Sequence, residues 1–231
     1  MKQLLLLITA FITMNTYSQS LHYLVREPKV KSAHLPVLFL LHGVGSNEKD
    51  LFSFADKLPD EYLVISARGP ITLAEGRYAW FHVEFTPDGP KINFEEQENS
   101  RKLIASFIKE MQGKYHFDEK RILLVGFSQG GIMNYSVALT NPGLVKGIAI
   151  MSSRLLPEIK PLIAPADKLK GLNIYISHGT ADNVLQVEYA RSAKAYLENL
   201  GLKPDYHEYA GVAHTINGAM FTDLLSWINK Q

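Results

Sequence analysis

Apolar residues fall along this chain in two alternating rhythms. Five short runs are nearly continuous: Val37–Leu41, Tyr62–Ser66, Ile122–Val125, Gly147–Met151 and Asn173–Ser177. A strand covered on one face alternates apolar with polar residues, so continuous runs of this length predict strands buried on both faces. Between them, apolar residues recur every three or four positions in Leu51–Leu58, Leu103–Met111, Ile132–Leu139, Tyr189–Leu200 and Met220–Ile228. That spacing lines one side of a helix. Gly113 and Gly201 stand just past two of these stretches, where a left-handed residue ends a helix with little strain. Pro204–Tyr209 predicts a last strand before the final helix. Strands alternating with helices imply an α/β architecture, a mostly parallel central sheet with helices on both faces. Its functional loops are expected at the carboxyl ends of the strands.

The first residues do not follow this rhythm. Lys2 precedes an apolar run from Leu4 to Met14, and small residues at Thr16 and Ser18 offer a cleavage point before Gln19. Residues 1–18 are therefore expected to be a signal peptide, sending the product to a secreted or periplasmic destination. The run is shorter than the roughly 20 residues that cross a bilayer, so no membrane span is expected after processing. Residues 19–231 carry no repeat, low-complexity tract or linker and are expected to form a single domain. With 46% apolar and 20% charged residues over its full 231, the chain can build a sizeable core. A formal net charge of +1 from interspersed charges argues against nucleic-acid binding. Cysteine is absent, which excludes disulfides, thiolate nucleophiles and Cys-ligated zinc. No His pair has zinc-site spacing on a helix, and neither a metal nor a cofactor is expected.

The candidate chemistry begins where Ile122–Val125 runs into Gly126-Phe127-Ser128-Gln129-Gly130-Gly131 and then a helix. A Gly-x-Ser-x-Gly turn between a buried strand and a helix holds its serine in a strained backbone with Oγ clear of the sheet. Only small residues fit two before and two after it. The alternative is a glycine turn whose serine merely caps the helix. Val37–Leu41 ends in His42-Gly43-Val44-Gly45-Ser46-Asn47, with Ser46 or Asn47 as cap of the next helix. The Gln129 N–H and the Val44 N–H are the expected oxyanion donors, their side chains mattering less than their amides. Gly43-Val44-Gly45 also opens a dinucleotide-type pattern, but its last position is Glu48 rather than glycine. His42 is expected to shape the loop by hydrogen bonding.

A serine hydroxyl needs a base, and the base needs an acid to fix its tautomer and offset its charge. Asn173–Ser177 runs into His178-Gly179-Thr180-Ala181-Asp182, which puts Asp182 on a loop past a late strand. His214 occupies the corresponding place after the last strand. Asp205 and Asp167 lie at the opposite end of the sheet, and His207 falls within a strand. The long stretch from Arg68 to Asn99 carries Tyr78, Trp80, Phe81 and Phe85. Trp80 and Phe81 are candidate substrate-binding residues, forming an apolar wall beside Ser128 unless they merely pin the loop. Glu95, Glu96 and Glu98 suit a helix N-terminus better than a pair of catalytic carboxylates.

Taken together, Leu41-His42-Gly43-Val44-Gly45, Gly126 to Gly131, His178 to Asp182 and the segment from Tyr189-Ala190 to Leu200-Gly201 resemble the phospholipase/carboxylesterase family of the α/β-hydrolase superfamily. That family includes acyl-protein thioesterases. The likeness spans most of residues 19–231. It implies the α/β-hydrolase fold without a large cap domain, and catalytic roles for Ser128, Asp182 and His214 with Val44 and Gln129 in the oxyanion hole. The chain departs from the family at Ser46 and His82, where aspartates are common, and at Ala213, where glycine is usual. These departures bear on the substrate rather than on the triad. The expected activity is a serine esterase acting on small-molecule or lipid-like carboxylic esters. Lysophospholipase or acyl-thioesterase activity and cleavage of carbohydrate-linked acyl esters of the feruloyl type are the neighbouring alternatives. A noncatalytic hydrolase-fold binding protein is the alternative of another class. Oligomeric state is not encoded in these motifs.

Overall fold

A computed structural model describes residues 20–86 and 89–231; the expected signal peptide lies outside them. Seven strands form the central sheet in the order β1 (Tyr23–Arg26), β3 (Leu63–Ala67), β2 (Val37–Leu41), β8 (Ile122–Phe127), β9 (Gly147–Met151), β10 (Asn173–Gly179), β11 (Asp205–Tyr209). Only the edge strand β1 runs antiparallel. The continuous apolar runs become the inner strands because each sends alternate side chains into two separate cores. Val37, Phe39 and Leu41 face one core with α2 (Phe94–Tyr115), α3 (Gln129–Thr140) and α4 (Val187–Asn199). Leu38 and Leu40 face the other with α1 (Lys49–Phe52) and α5 (Gly218–Ile228). A sheet clothed on both sides has nowhere to expose polar residues except at its ends.

Several local expectations are corrected. Leu51–Leu58 is not one helix but the single turn α1 followed by a 3-10 turn, Ala55–Lys57. Leu51, Ala55 and Leu58 still reach the same core, so a broken helix meets the same spacing. Neither Ser46 nor Asn47 is the residue immediately before α1, which is Glu48; the Asn47 side chain accepts from the Lys49 N–H instead. Gly113 does not end its helix: α2 runs on through it to Tyr115, and His116 takes the left-handed position at φ +52°. Gly201, at φ +78°, does follow α4 as expected.

The stretch 68–99 is not an irregular loop. It folds into two hairpins, β4 (Ile71–Ala74) with β5 (Arg77–Ala79), and β6 (Val83–Thr86) with β7 (Gly89–Ile92), before α2 begins. The Asn93 side chain caps α2 by accepting from the Glu96 N–H. Glu95 and Glu96 lie in that first turn, where the helix dipole favours anions. Glu98 pairs with Arg101. Between β9 and β10 the chain makes only two 3-10 turns, Pro157–Leu162 and Ala166–Lys168, so no cap domain covers the carboxyl ends of the strands.

Candidate active site

Ser128 stands between β8 and α3 with φ 53° and ψ −117°, a backbone conformation that L residues rarely adopt. Its two glycine neighbours make the turn feasible. A Cβ on Gly126 would lie 2.5 Å from the Gly130 backbone, and one on Gly130 would lie 1.9 Å from the Leu41 carbonyl oxygen. The Ser128 N–H donates to the Met151 carbonyl, and Ser153 Oγ donates to the Ser128 carbonyl at 2.7 Å, so β9 and the loop after it brace the strained residue.

The loops after β10 and β11 bring the remaining two groups to this turn. His214 Nε2 lies 3.0 Å from Ser128 Oγ, and His214 Nδ1 lies 2.7 Å from Asp182 Oδ2. Asp182 is buried, and its Oδ1 accepts from the Val184 and Leu185 N–H groups at 2.9 and 2.8 Å. With Oδ2 turned to His214 Nδ1–H, Nε2 is left as the acceptor facing the serine hydroxyl. The His178 ring adds a contact that the sequence did not reveal: its Nε2 sits 2.6 Å from the Leu185 carbonyl and 3.3 Å from Asp182 Oδ2. His178 therefore clamps the acid loop from behind. Asp205 and Asp167 are remote and exposed. His207 pairs with Asp205 at 2.8 Å and packs against Tyr175 within the sheet.

Ser128 and Val44 line an apolar pocket that also includes Gln129, Phe81, Ile132 and Leu185. The N–H groups of Val44 and of Gln129, the first residue of α3, have no acceptor among the described residues. The Gln129 side chain matters more than expected. Its Oε1 accepts from the Trp80 N–H at 2.8 Å and its Nε2 donates to the Phe81 carbonyl at 2.7 Å. Both partners lie almost fifty residues upstream, so no local pattern signals the contact.

Trp80 does not form a wall for substrate. It is fully buried, its Nε1 donates to the His42 carbonyl at 2.9 Å and its own carbonyl takes the Ser100 hydroxyl. An indole placed this way pins the hairpin segment to the loop after β2. Phe81 does line the pocket. Trp80→Phe is therefore expected to leave the His42 carbonyl unpaired at about 1–3 kcal/mol. It should lower kcat/KM by the same factor for acetyl and octanoyl aryl esters. A loss confined to the longer ester would restore the wall.

His42 shapes the loop after β2 by hydrogen bonding, as expected. Its Nδ1 donates to the Gly43 carbonyl at 2.7 Å while Nε2 accepts from the Gly69 N–H at 2.9 Å, an arrangement open only to the neutral ring. Burial holds the His42 and His178 rings below the ordinary histidine value of 6.5. Below that pH the unfolded chain binds protons that the folded rings refuse. Stability should thus be full above pH 6.5, fall as pH drops towards the depressed folded values, and level off below them. Each ring contributes a slope of at most about 1.4 kcal/mol per pH unit. Melting temperatures between pH 7 and 5 should decline less steeply in His42→Gln; an unchanged slope would show that His42 titrates normally when folded.

A serine, an imidazole and a carboxylate joined in that order at the carboxyl edge of a mostly parallel sheet define a serine hydrolase of the α/β-hydrolase fold. More narrowly, the chain belongs to the phospholipase/carboxylesterase family, whose sequence pattern matches residues 22–231. It is 27% identical to acyl-protein thioesterase 1 of Mycosarcoma maydis over 90% of this chain and 95% of that protein. A probable carboxylesterase of Oryza sativa subsp. japonica is 32% identical, over 82% of this chain and 75% of its own length. Among solved structures, the Bacillus cereus carboxylesterase superposes with a TM-score of 0.78 at 25% identity, covering 91% of this chain and 94% of that one. The protein is a carboxylic ester hydrolase that works through a serine acyl-enzyme.

Proposed function

We propose that Ser128 is the nucleophile, His214 the general base and acid, Asp182 the orienting carboxylate, and the Val44 and Gln129 amides the oxyanion donors. The substrates are short- to medium-chain acyl or aryl esters. The observation that carries this reading is the unbroken relay, 3.0 Å from Ser128 Oγ to His214 and 2.7 Å onward to Asp182, opening on an apolar pocket. In the first half-reaction Ser128 Oγ attacks the ester carbonyl carbon as its proton passes to His214 Nε2. The anionic Asp182 stabilises the imidazolium without taking its proton. Two fixed amides meet the negative charge that grows on the carbonyl oxygen, each contributing about 3–4 kcal/mol to lowering the barrier. His214 then protonates the departing alcohol, and water repeats the sequence to free the acid and Ser128.

A thioester carbonyl suits the same machinery, and the likeness to an acyl-protein thioesterase favours that as the second reading. Labelling by a fluorophosphonate separates an enzyme from a noncatalytic binding protein: the wild type should react and Ser128→Ala should not. Labelling of the alanine variant would remove the assignment. Rates on matched esters and thioesters then rank the two readings. We further infer that residues 1–18 direct export, supported by Lys2 and the apolar run Leu4–Met14. Among the described residues no helix is long and apolar enough to cross a membrane. On N-terminal sequencing, material recovered from the medium or periplasm should begin near Gln19; a product found in the cytosol with Met1 intact would refute export.

A further inference from the structure

The pocket beside Ser128 has one charged residue in its described lining, and the hydrolytic relay does not use it. Arg154 follows β9 on the loop that braces the nucleophile: Ser152 turns the chain at φ +46°, Ser153 holds the Ser128 carbonyl, and Arg154 comes next. It lines the same pocket as Ser128 and is only 8% exposed. No carboxylate lies within salt-bridge distance and no hydrogen-bond acceptor engages it among the described residues. Its guanidinium carbon instead sits 5.5 Å from the centre of the Tyr189 ring. The rest of the lining offers it nothing anionic. Val83, Ile92, Ile132 and Leu185 are apolar, and the Gln129 side-chain amide is taken by Trp80 and Phe81; Asp182, outside the lining, has both oxygens engaged. The Arg154 nitrogens are not enclosed by protein, so the planar fork of the guanidinium is open to a partner entering the pocket.

We propose that Arg154 is a specificity residue that receives a carboxylate of the substrate, so that the preferred esters carry an anionic group a few bonds from the scissile carbonyl. This rests on Ser128 as the nucleophile. The fork of the guanidinium matches a carboxylate in two hydrogen bonds, and the apolar lining strengthens the attraction by excluding water. A neutral ester of equal length fills the same space but leaves the cation uncompensated.

Two pairs of esters test this and locate the charge. On the acyl side, para-nitrophenyl hemiglutarate is compared with para-nitrophenyl pentanoate. On the alcohol side, carboxyphenyl butyrate is compared with carbamoylphenyl butyrate. Each charged-to-neutral ratio of kcat/KM is divided by the same ratio for hydrolysis by hydroxide. The wild type should exceed the hydroxide ratio by about tenfold or more in one pair, which identifies the side that Arg154 reads. Arg154→Met should bring that ratio to near unity, and Arg154→Lys should keep part of it. Wild-type ratios equal to those of hydroxide in both pairs would overturn the proposal even if neither variant folds. A preference that survives Arg154→Met would overturn it equally. Turnover of the neutral esters, together with loss of fluorophosphonate labelling in Ser128→Ala, keeps the reading of the nucleophile standing in either case. No turnover of any ester would remove both.

Discussion

Asp182→Asn should lower kcat by up to about 10⁴-fold while leaving the fold intact. An asparagine at this position can still accept the Val184 and Leu185 N–H groups through its carbonyl oxygen, so the loop keeps its hydrogen bonds. The change falls on the other oxygen. Where the carboxylate accepts from His214 Nδ1, the amide nitrogen of asparagine donates instead, and the ring must shift its proton to Nε2. A protonated Nε2 points a hydrogen at Ser128 Oγ and has no lone pair with which to take the hydroxyl proton. Steady-state kinetics on one activated ester, paired with thermal melting, check the claim. A kcat within a few-fold of wild type would mean that Asp182 does not set the tautomer.

Gly130→Ala is expected to be the most damaging small substitution in the chain for stability. The added methyl would sit 1.9 Å from the Leu41 carbonyl oxygen and 2.9 Å from that of His42, both backbone atoms of the neighbouring strand end and oxyanion loop. Flexible side chains can move aside; a ladder between β2 and β8 cannot. Relief requires α3 to back away from the sheet, opening the packing of Met133, Val137 and their neighbours. A loss of about 4 kcal/mol or more is expected, at the severe end of the range for point mutants. Urea unfolding should show it as a fall in midpoint at unchanged slope, or as insoluble expression. Ordinary stability would mean that the helix has room to withdraw.

What the amino-acid pattern revealed, and what it did not, follows from the distance over which each feature is determined. The inner strands were legible because burial on two faces leaves a continuous apolar run; Ser128 and Asp182 were legible because each follows such a run on a short loop, and His214 because it stands between the last strand and the final helix. The edge strand β1 is half-buried throughout, and β4 exposes Thr72, Leu73 and Ala74, so neither carries a rhythm to read. The four short strands of 71–92 pair with each other, and Tyr78 of β5 also bridges to Ser46, contacts that no local pattern announces. The left-handed end of α2 fell to His116, a residue type with no strong claim to it, while Gly113 lay in the helix interior. The Gln129 side chain, His178 behind Asp182 and Arg154 in the pocket act across space, on partners that sequence neighbours do not announce.

The bond from Gln129 to Trp80 and Phe81 divides the 68–99 stretch into a fixed root and a projecting arm. The root is tied to Gln129, whose backbone amide is a proposed oxyanion donor, so it cannot drift without disturbing the turn that carries Ser128. Beyond it, the β6–β7 hairpin contributes Val83, Pro90 and Ile92 to the pocket wall, and none of its described residues hydrogen-bonds to Ser128, His214 or Asp182. A protein engineer could therefore exchange that arm for one of different length or polarity, retargeting the enzyme to new substrates while its chemical machinery stays as it is.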